Sequence, residues 1–195
     1  MQVGLREQDV DGLTELAMQE AIRTYCWKDL SGRFGNVGMT RNWLEKKGNG
    51  VEQMGRGMLQ LRHPTSSVQA AYGWVGPEEC AFIPESQNTF AERVSEQFAG
   101  RGIGTLFATV IVSGATALWG ARNIGLETYA SNKGAIKVYE RAGAEFVTER
   151  DSVRRGLDGD DVKDKRRYMR FSRTFDGPVE ILNSHSNRNI QVRLK

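Results

Sequence analysis

The segment that most constrains this chain runs from residue 88 to residue 130. It reads as a strand, NTFAERVSE (88–96), then a glycine-rich turn, then a long apolar helix, then a second strand, NIGLETYA (123–130). Residues 97–107, QFAGRGIGTLF, place Gly100, Gly102 and Gly104 directly before a run in which Ile103, Leu106, Phe107, Val110, Ile111, Ala115 and Leu118 fall at helical spacing. A helix that crosses over between two neighbouring strands makes them parallel, with a right-handed connection. A glycine-rich turn at the head of a helix also suits an anion. Main-chain N–H groups can converge on it, and the helix end adds partial positive charge.

The elements on either side complete a mixed sheet. After a short strand-like start, Asp9 is placed as the N-cap of one helix running to about Cys26, with Val10, Leu13, Leu16 and Ala17 as its buried stripe. Thr40 is placed as the cap of a short helix, RNWLEKK, ended by Gly48 and Gly50. GRGMLQLRH (55–63) and SVQAAYGWVG (67–76) read as strands around an HPTSS turn. SNKGAIKVYERAG reads as a helix with Gly143 at C′. AEFVTERDSV and RRYMRFSR read as the last strands, and RRGLDGDDVKDK (154–165) between them lacks apolar periodicity and reads as a mobile loop. The expected fold is a single-domain α/β mixed sheet of about seven strands flanked by about four helices. The domain spans 1–173; the extension 174–195 carries two weak alternating runs, Val179/Ile181 and Ile190/Val192/Leu194, that suit a hairpin.

Two nucleotide motifs are excluded. The dinucleotide pattern G-x-G-x-x-G needs a third glycine where Phe107 or Thr105 stands, and no G-K-[ST] tripeptide of a Walker loop exists in the chain. What remains pairs FAGRGIGTLF with the later YASNKGAIKVYERAGAEF. Together these resemble the two-part signature of the GNAT N-acetyltransferase family: a phosphate loop of pattern R/Q-x-x-G-x-G/A, then Asn, Ala three residues on, Tyr four further, Gly and Phe. Ala99 stands at the first position, Gly102 and Gly104 at the glycines, and Asn132, Ala135, Tyr139, Gly143 and Phe146 at the rest. Ala99 departs from the pattern; Arg101 beside it can supply a charge instead.

The resemblance implies a sheet splayed between strands 4 and 5, with acetyl-CoA as co-substrate. It implies cofactor contacts from Val94 at the end of strand 4, from Arg101, Gly102, Ile103, Gly104 and Thr105, and from Asn132. It makes Tyr139 the proton donor to the departing thiolate. Glu92 is the candidate base, on one strand face with Val94 and Glu96, although the family's glutamate falls nearer Asn88. Glu79, Glu85 or a water chain are alternatives. The acceptor, a small-molecule or protein amine, is placed between residues 27–39, with Trp27 and Phe34, and residues 151–166, whose Asp158, Asp160 and Asp161 would suit a cationic amine.

Composition agrees with a globular domain and excludes several classes. The 27 basic and 24 acidic residues give a net charge of +3, too balanced to imply a nucleic-acid partner. No run of ~18 apolar residues suggests a membrane span, and the start, MQVGLREQDV, lacks a signal-peptide pattern, so a cytoplasmic protein is expected. Cys26 and Cys80 read as reduced thiols, and His63 and His185 are too few for a histidine metal site, so no metal is expected. The reading is an N-acetyltransferase acting by direct attack in a ternary complex. The alternatives are a non-catalytic CoA-binding module of the same fold and, disfavoured by the missing glycine, a nucleotide-binding oxidoreductase. A homodimer is left open.

Overall fold

A computed structural model of the chain describes residues 2–3, 7–26, 34–43, 45, 57–62, 68–172, 179–185 and 189–194. The strands are β1 (Gln2–Val3), β2 (Gly57–Arg62), β3 (Gln69–Gly76), β4 (Asn88–Val94), β5 (Ile124–Tyr129), β6 (Glu145–Arg155), β7 (Asp161–Phe171), β8 (Val179–His185) and β9 (Asn189–Leu194). The α-helices are α1 (Val10–Ala17), α2 (Glu20–Tyr25), α3 (Val37–Trp43), α4 (Ile103–Trp119) and α5 (Lys133–Arg141). All nine strands form one sheet in the order β6-β7-β5-β4-β3-β2-β1-β9-β8. Seven of them make the expected mixed sheet. The β8–β9 hairpin extends it through a single registered pair, Gln2 with Asn189.

Every neighbouring pair is antiparallel except β4–β5. The α4 crossover between them makes that pair parallel, as the strand–helix–strand order predicts. Strand alternation divides the core in two. Ala71, Val75, Phe90, Leu126, Met169 and Phe171 pack with Phe107, Ile111 and Ala115 of α4 and Tyr139 of α5. Leu13, Leu16, Ala17, Ile22 and Phe34 pack with Tyr72, with Trp74 beside them, on the opposite face.

Four local expectations are corrected. The first helix is broken at Met18–Gln19, where Gln19 turns extended (φ −64°, ψ 142°). The Gln19 Oε1 accepts from the Glu96 N–H at 2.8 Å, its Nε2 donates to Ser95 Oγ at 3.0 Å, and Glu96 Oε1 accepts from the Ala21 N–H at 2.7 Å. A reciprocal clasp with the residues just after β4 thus replaces the helix's own bonding at the break. Asp9 makes no side-chain cap; it is fully buried and its Oδ2 accepts from Gln60 Nε2 at 2.8 Å. Thr40 sits inside α3 with its hydroxyl against Thr14, 2.7 Å away, and the capping is done by Asn36, whose Oδ1 accepts from the Met39 N–H at 2.9 Å.

The fourth correction concerns 154–165, which is mostly strand. β6 and β7 stay paired to the Arg155–Asp161 register, leaving only residues 156–160 as the turn, with Gly159 at φ +88°. Cross-strand pairs such as Asp151 with Lys165 and Arg155 with Asp161 take the place of apolar alternation. Gly48, Gly50 and the HPTSS turn lie outside the described residues.

Gly73 on β3 is fixed by packing. A Cβ there would stand 2.6 Å from Ile111 Cδ1 and 2.8 Å from the Ala91 carbonyl oxygen, a backbone atom that cannot swing away. Gly73→Ala is expected to cost ~1–3 kcal/mol of stability. A urea titration checks this; an unchanged midpoint would mean that β4 yields without cost.

Candidate active site

β4 and β5 pair through only two residue pairs, Asn88 with Ile124 and Thr89 with Gly125. Beyond Thr89 the ladder is not continued. A cleft of about 770 Å³ occupies the divergence, lined by residues of β4 and β5, the glycine turn, α5 and the end of α2. This is the splay expected between strands 4 and 5.

The turn at the cleft's end is built by backbone conformation. Gly100 (φ +73°) and Gly102 (φ +79°) are both left-handed, and a Cβ on either would meet nothing within 4 Å. Glycine is needed there for the dihedral angle. Gly104 has a different reason: a Cβ would press against Val138 Cγ2 at 3.1 Å, so its bareness lets α4 approach α5. Gly102 is the N-cap of α4 and offers no side chain to cap it. The helix's bonding starts with the Leu106 N–H donating to the Gly102 carbonyl at 3.0 Å. The N–H groups of Ile103, Gly104 and Thr105 are therefore left without helical acceptors. Gly102, Gly104, Thr105 and Val94 line the cleft; Arg101 is exposed on the turn, and the side chains of Arg101 and Ile103 fall outside the lining.

Asn132 caps α5, with Oδ1 accepting from the Ala135 N–H at 3.1 Å, and also lines the cleft. At the other end, the Gly143 N–H donates to Glu140 O and the Ala144 N–H to Tyr139 O, with Gly143 at φ +96°, which closes the helix as a Schellman motif. Held from both ends, α5 presents Tyr139 inward. Its ring meets Phe90 edge-on at 5.8 Å. Burial, and then the charge of Glu92, push its phenol pKa up, so it stays protonated at neutral pH.

Glu92 follows from the register. β3–β4 pairing puts Phe90, Glu92 and Val94 opposite Val75, Gly73 and Ala71, on the face covered by α4. Glu92 is 7% exposed and Oε2 has no hydrogen-bond partner among the described residues. Burial raises its carboxyl well above the usual carboxylate range, with the Arg93 charge pulling the other way. Glu96 does not continue that face, because β4 ends at Val94 and its carboxylate caps α2. Glu79 lines the cleft; Glu85 does not. The Asn88 amide donates to the Arg122 carbonyl at 3.3 Å.

The other face of the splay carries groups that the sequence reading missed. Arg93, next to Glu92, points the opposite way and lies over Trp74, 5.4 Å from the ring centre. Arg166 lies 3.7 Å over the Tyr129 ring and 3.6 Å from Glu127 Oε1. Alternation alone signals Arg93; nothing local signals Arg166. Of the acidic trio, Asp161 is held by Arg155 at 3.9 Å, while Asp158 and Asp160 line neither this cleft nor the cavity beside it. Phe34 is buried beneath Trp43 and Tyr72, and Trp27 lies outside the described residues. No cluster of metal-binding side chains and no helix long and apolar enough to cross a membrane occurs among the described residues.

The acetyltransferase (GNAT) family model matches residues 69–144. The matched segment is similar to that family. It runs from the start of β3 to just past α5 and holds the glycine turn, Glu92, Asn132 and Tyr139. The GNAT fold extends over most of the chain. A ribosomal-protein-S5-alanine acetyltransferase from Vibrio fischeri superposes with a TM-score of 0.69 at 10% identity, covering 88% of this chain and 92% of that one. A spermidine N-acetyltransferase mutant from Vibrio cholerae gives 0.67 at 12% identity, covering 89% and 96%. An aminoglycoside acetyltransferase in complex with coenzyme A gives 0.61 at 17% identity, covering 88% and 94%. No curated protein matches the chain.

The buried Glu92 sets a pH dependence. The unfolded carboxyl ionises near 4.5 and the folded one well above it. Folding stability from this group is full below the unfolded value and is lost as pH rises toward the folded value. Glu92→Gln removes the ionisation. Its melting temperature is expected to gain on the wild type as pH rises above the unfolded value; melting curves that stay parallel as pH rises would contradict the burial of the charge.

Proposed function

We propose that the chain is an acyl-CoA-dependent N-acyltransferase that moves an acetyl group from acetyl-CoA to a primary amine by direct attack. The observation that carries this is the placing of Glu92 and Tyr139, two buried proton-handling groups, in one cleft that leads from a bare helix end through an opening in the sheet.

The residues present fit such a co-substrate. The glycine turn gives open space where side chains would stand, and the first-turn N–H groups of α4 lack helical acceptors. Ile103, Gly104 and Thr105 would hold a pyrophosphate through the main chain, helped by the helix dipole and by the charge of Arg101. Asn132 would contact the same arm from the head of α5. Acetyl-CoA supplies an activated acetyl thioester. Main-chain groups of β4 beyond Thr89, released from pairing with β5, would take the extended arm as a strand partner and polarise its carbonyl. An incoming amine must lose a proton before it attacks. Glu92 accepts it at a carboxylate oxygen, directly or through water, and its raised pKa makes it a stronger base than an ordinary carboxylate. Tyr139 donates its phenol proton to the thiolate sulfur that leaves.

Tyr139→Phe is expected to lower kcat by ~10²–10⁴-fold, with the KM for acetyl-CoA changed by less than about 3-fold. Thiol release measured over an amine panel checks it, and a kcat near wild type would remove Tyr139 as the donor. Gly102→Val forces a β-branched residue into a left-handed position, at ~1–2 kcal/mol of stability. It should weaken coenzyme A binding, read by calorimetry, by a larger factor than that strain gives. Coenzyme A binding without thiol release from any amine would leave a binding module instead of an enzyme.

A further inference from the structure

On the α1/α2 face a second cavity, of about 380 Å³, adjoins the cleft; both are walled by Tyr25, Cys26, Arg93, Glu127, Tyr129 and Arg166. It lies across the sheet from Glu92 and Tyr139, because Arg93 and Glu92 are successive residues of one strand and Arg166 pairs with Tyr129 while Arg167 pairs with Thr128. Its charged lining among the described residues is four arginines, Arg93, Arg154, Arg155 and Arg166, against two carboxylates, Glu127 and Asp161. Adding Asp164, which stands behind Arg154, still leaves the guanidiniums in excess.

Three of the arginines, Arg93, Arg154 and Arg166, lie over aromatic rings. Arg166 stacks on Tyr129 at 3.7 Å and Arg154 lies over Tyr25 at 5.6 Å. Their carboxylate partners are each at ion-pair range and no closer: Arg154 Nε to Asp164 Oδ2 is 3.3 Å, Arg166 Nη1 to Glu127 Oε1 is 3.6 Å, and Arg155 Nη1 to Asp161 Oδ1 is 3.9 Å. None of these is a bidentate fork. Asp164 itself is taken up by the Ser131 hydroxyl and the Lys165 N–H. Both Arg154 and Arg166 have side chains only 19% and 22% exposed, so their charge is weakly screened. The ion pairs of Arg154, Arg155 and Arg166 are longer than short hydrogen bonds, while Arg93 Nη1 donates to the Glu92 carbonyl at 2.7 Å; guanidiniums set over rings in this way suit a planar oxyanion.

We propose that this cavity recognises an anionic group on the acceptor, so that the preferred substrate is a small primary amine carrying a carboxylate or phosphate and not a polycation. This rests on the acyltransfer reading and assigns the acceptor class to it. The cavity volume suits a molecule of small-metabolite size.

The test uses the full chain with matched acceptors, in a thiol-release assay: an amino acid against its amide, an aminoalkyl phosphate against the aminoalcohol, and spermidine. The anionic member of each pair is expected to have a kcat/KM on the order of 10–100-fold above its neutral partner, with spermidine lowest. Which anionic class ranks first separates carboxylate from phosphate. Arg154→Gln and Arg166→Gln are each expected to collapse the anionic-to-neutral ratio toward one, a change of selectivity that a general loss of fold would not produce. Turnover of neutral amines or spermidine at or above the anionic acceptors would overturn the proposal and leave the acyltransfer reading standing. Binding of glutarate, which has no amine, by calorimetry gives a readout free of turnover. Arginine-dependent glutarate binding with no thiol release on any amine would support the anion site while removing the acyltransfer reading. Absence of binding by both glutarate and inorganic phosphate, or binding unaffected in both variants, would overturn the anion site.

Discussion

The parallel ladder between β4 and β5 stops after two residue pairs, and the rest of the site depends on that interruption. A sheet is normally a barrier between its two faces, because every strand edge is needed by its neighbour. Here β4 keeps a full antiparallel partner in β3 and β5 keeps one in β7, so each strand is fixed while the gap between them is open. One freed carbonyl, that of Glu92, accepts from Arg93 Nη1 at 2.7 Å. The opening joins a glycine turn and two buried acids on one face to stacked arginines on the other.

The pleat then sorts the chemistry. Glu92 and Arg93 are chain neighbours, yet one is buried under α4 and the other lies on Trp74. An ion pair between their side chains would have neutralised both. Separation across the sheet lets burial keep Glu92 basic while Arg93 joins a cationic wall. Tyr139 completes the first group because α5 is fixed by a cap at Asn132 and a left-handed Gly143.

What was legible in the sequence was what local chemistry controls. The helical spacing from Ile103, the cap at Asn132 and the stop at Gly143 are each written within a few residues, and α4, α5 and their strands stand where those signals put them. What was not legible depends on distant partners. The break at Gln19 is imposed by Ser95 and Glu96, and the burial of Asp9 by Gln60. The β6–β7 arm is held by pairing of charged residues, which carries no apolar period for a reader to find. The residues carrying the GNAT resemblance located the cleft. The arginines of its other face are scattered over β4, β6 and β7, and only the sheet brings them together.

The clasp at Gln19 has a consequence for the second cavity. α2 is a six-residue helix, too short to persist alone in water, and its first turn takes its acceptor from a carboxylate 75 positions away. The wall that carries Tyr25 toward the arginines therefore takes its shape from a long-range contact with the chain that follows β4.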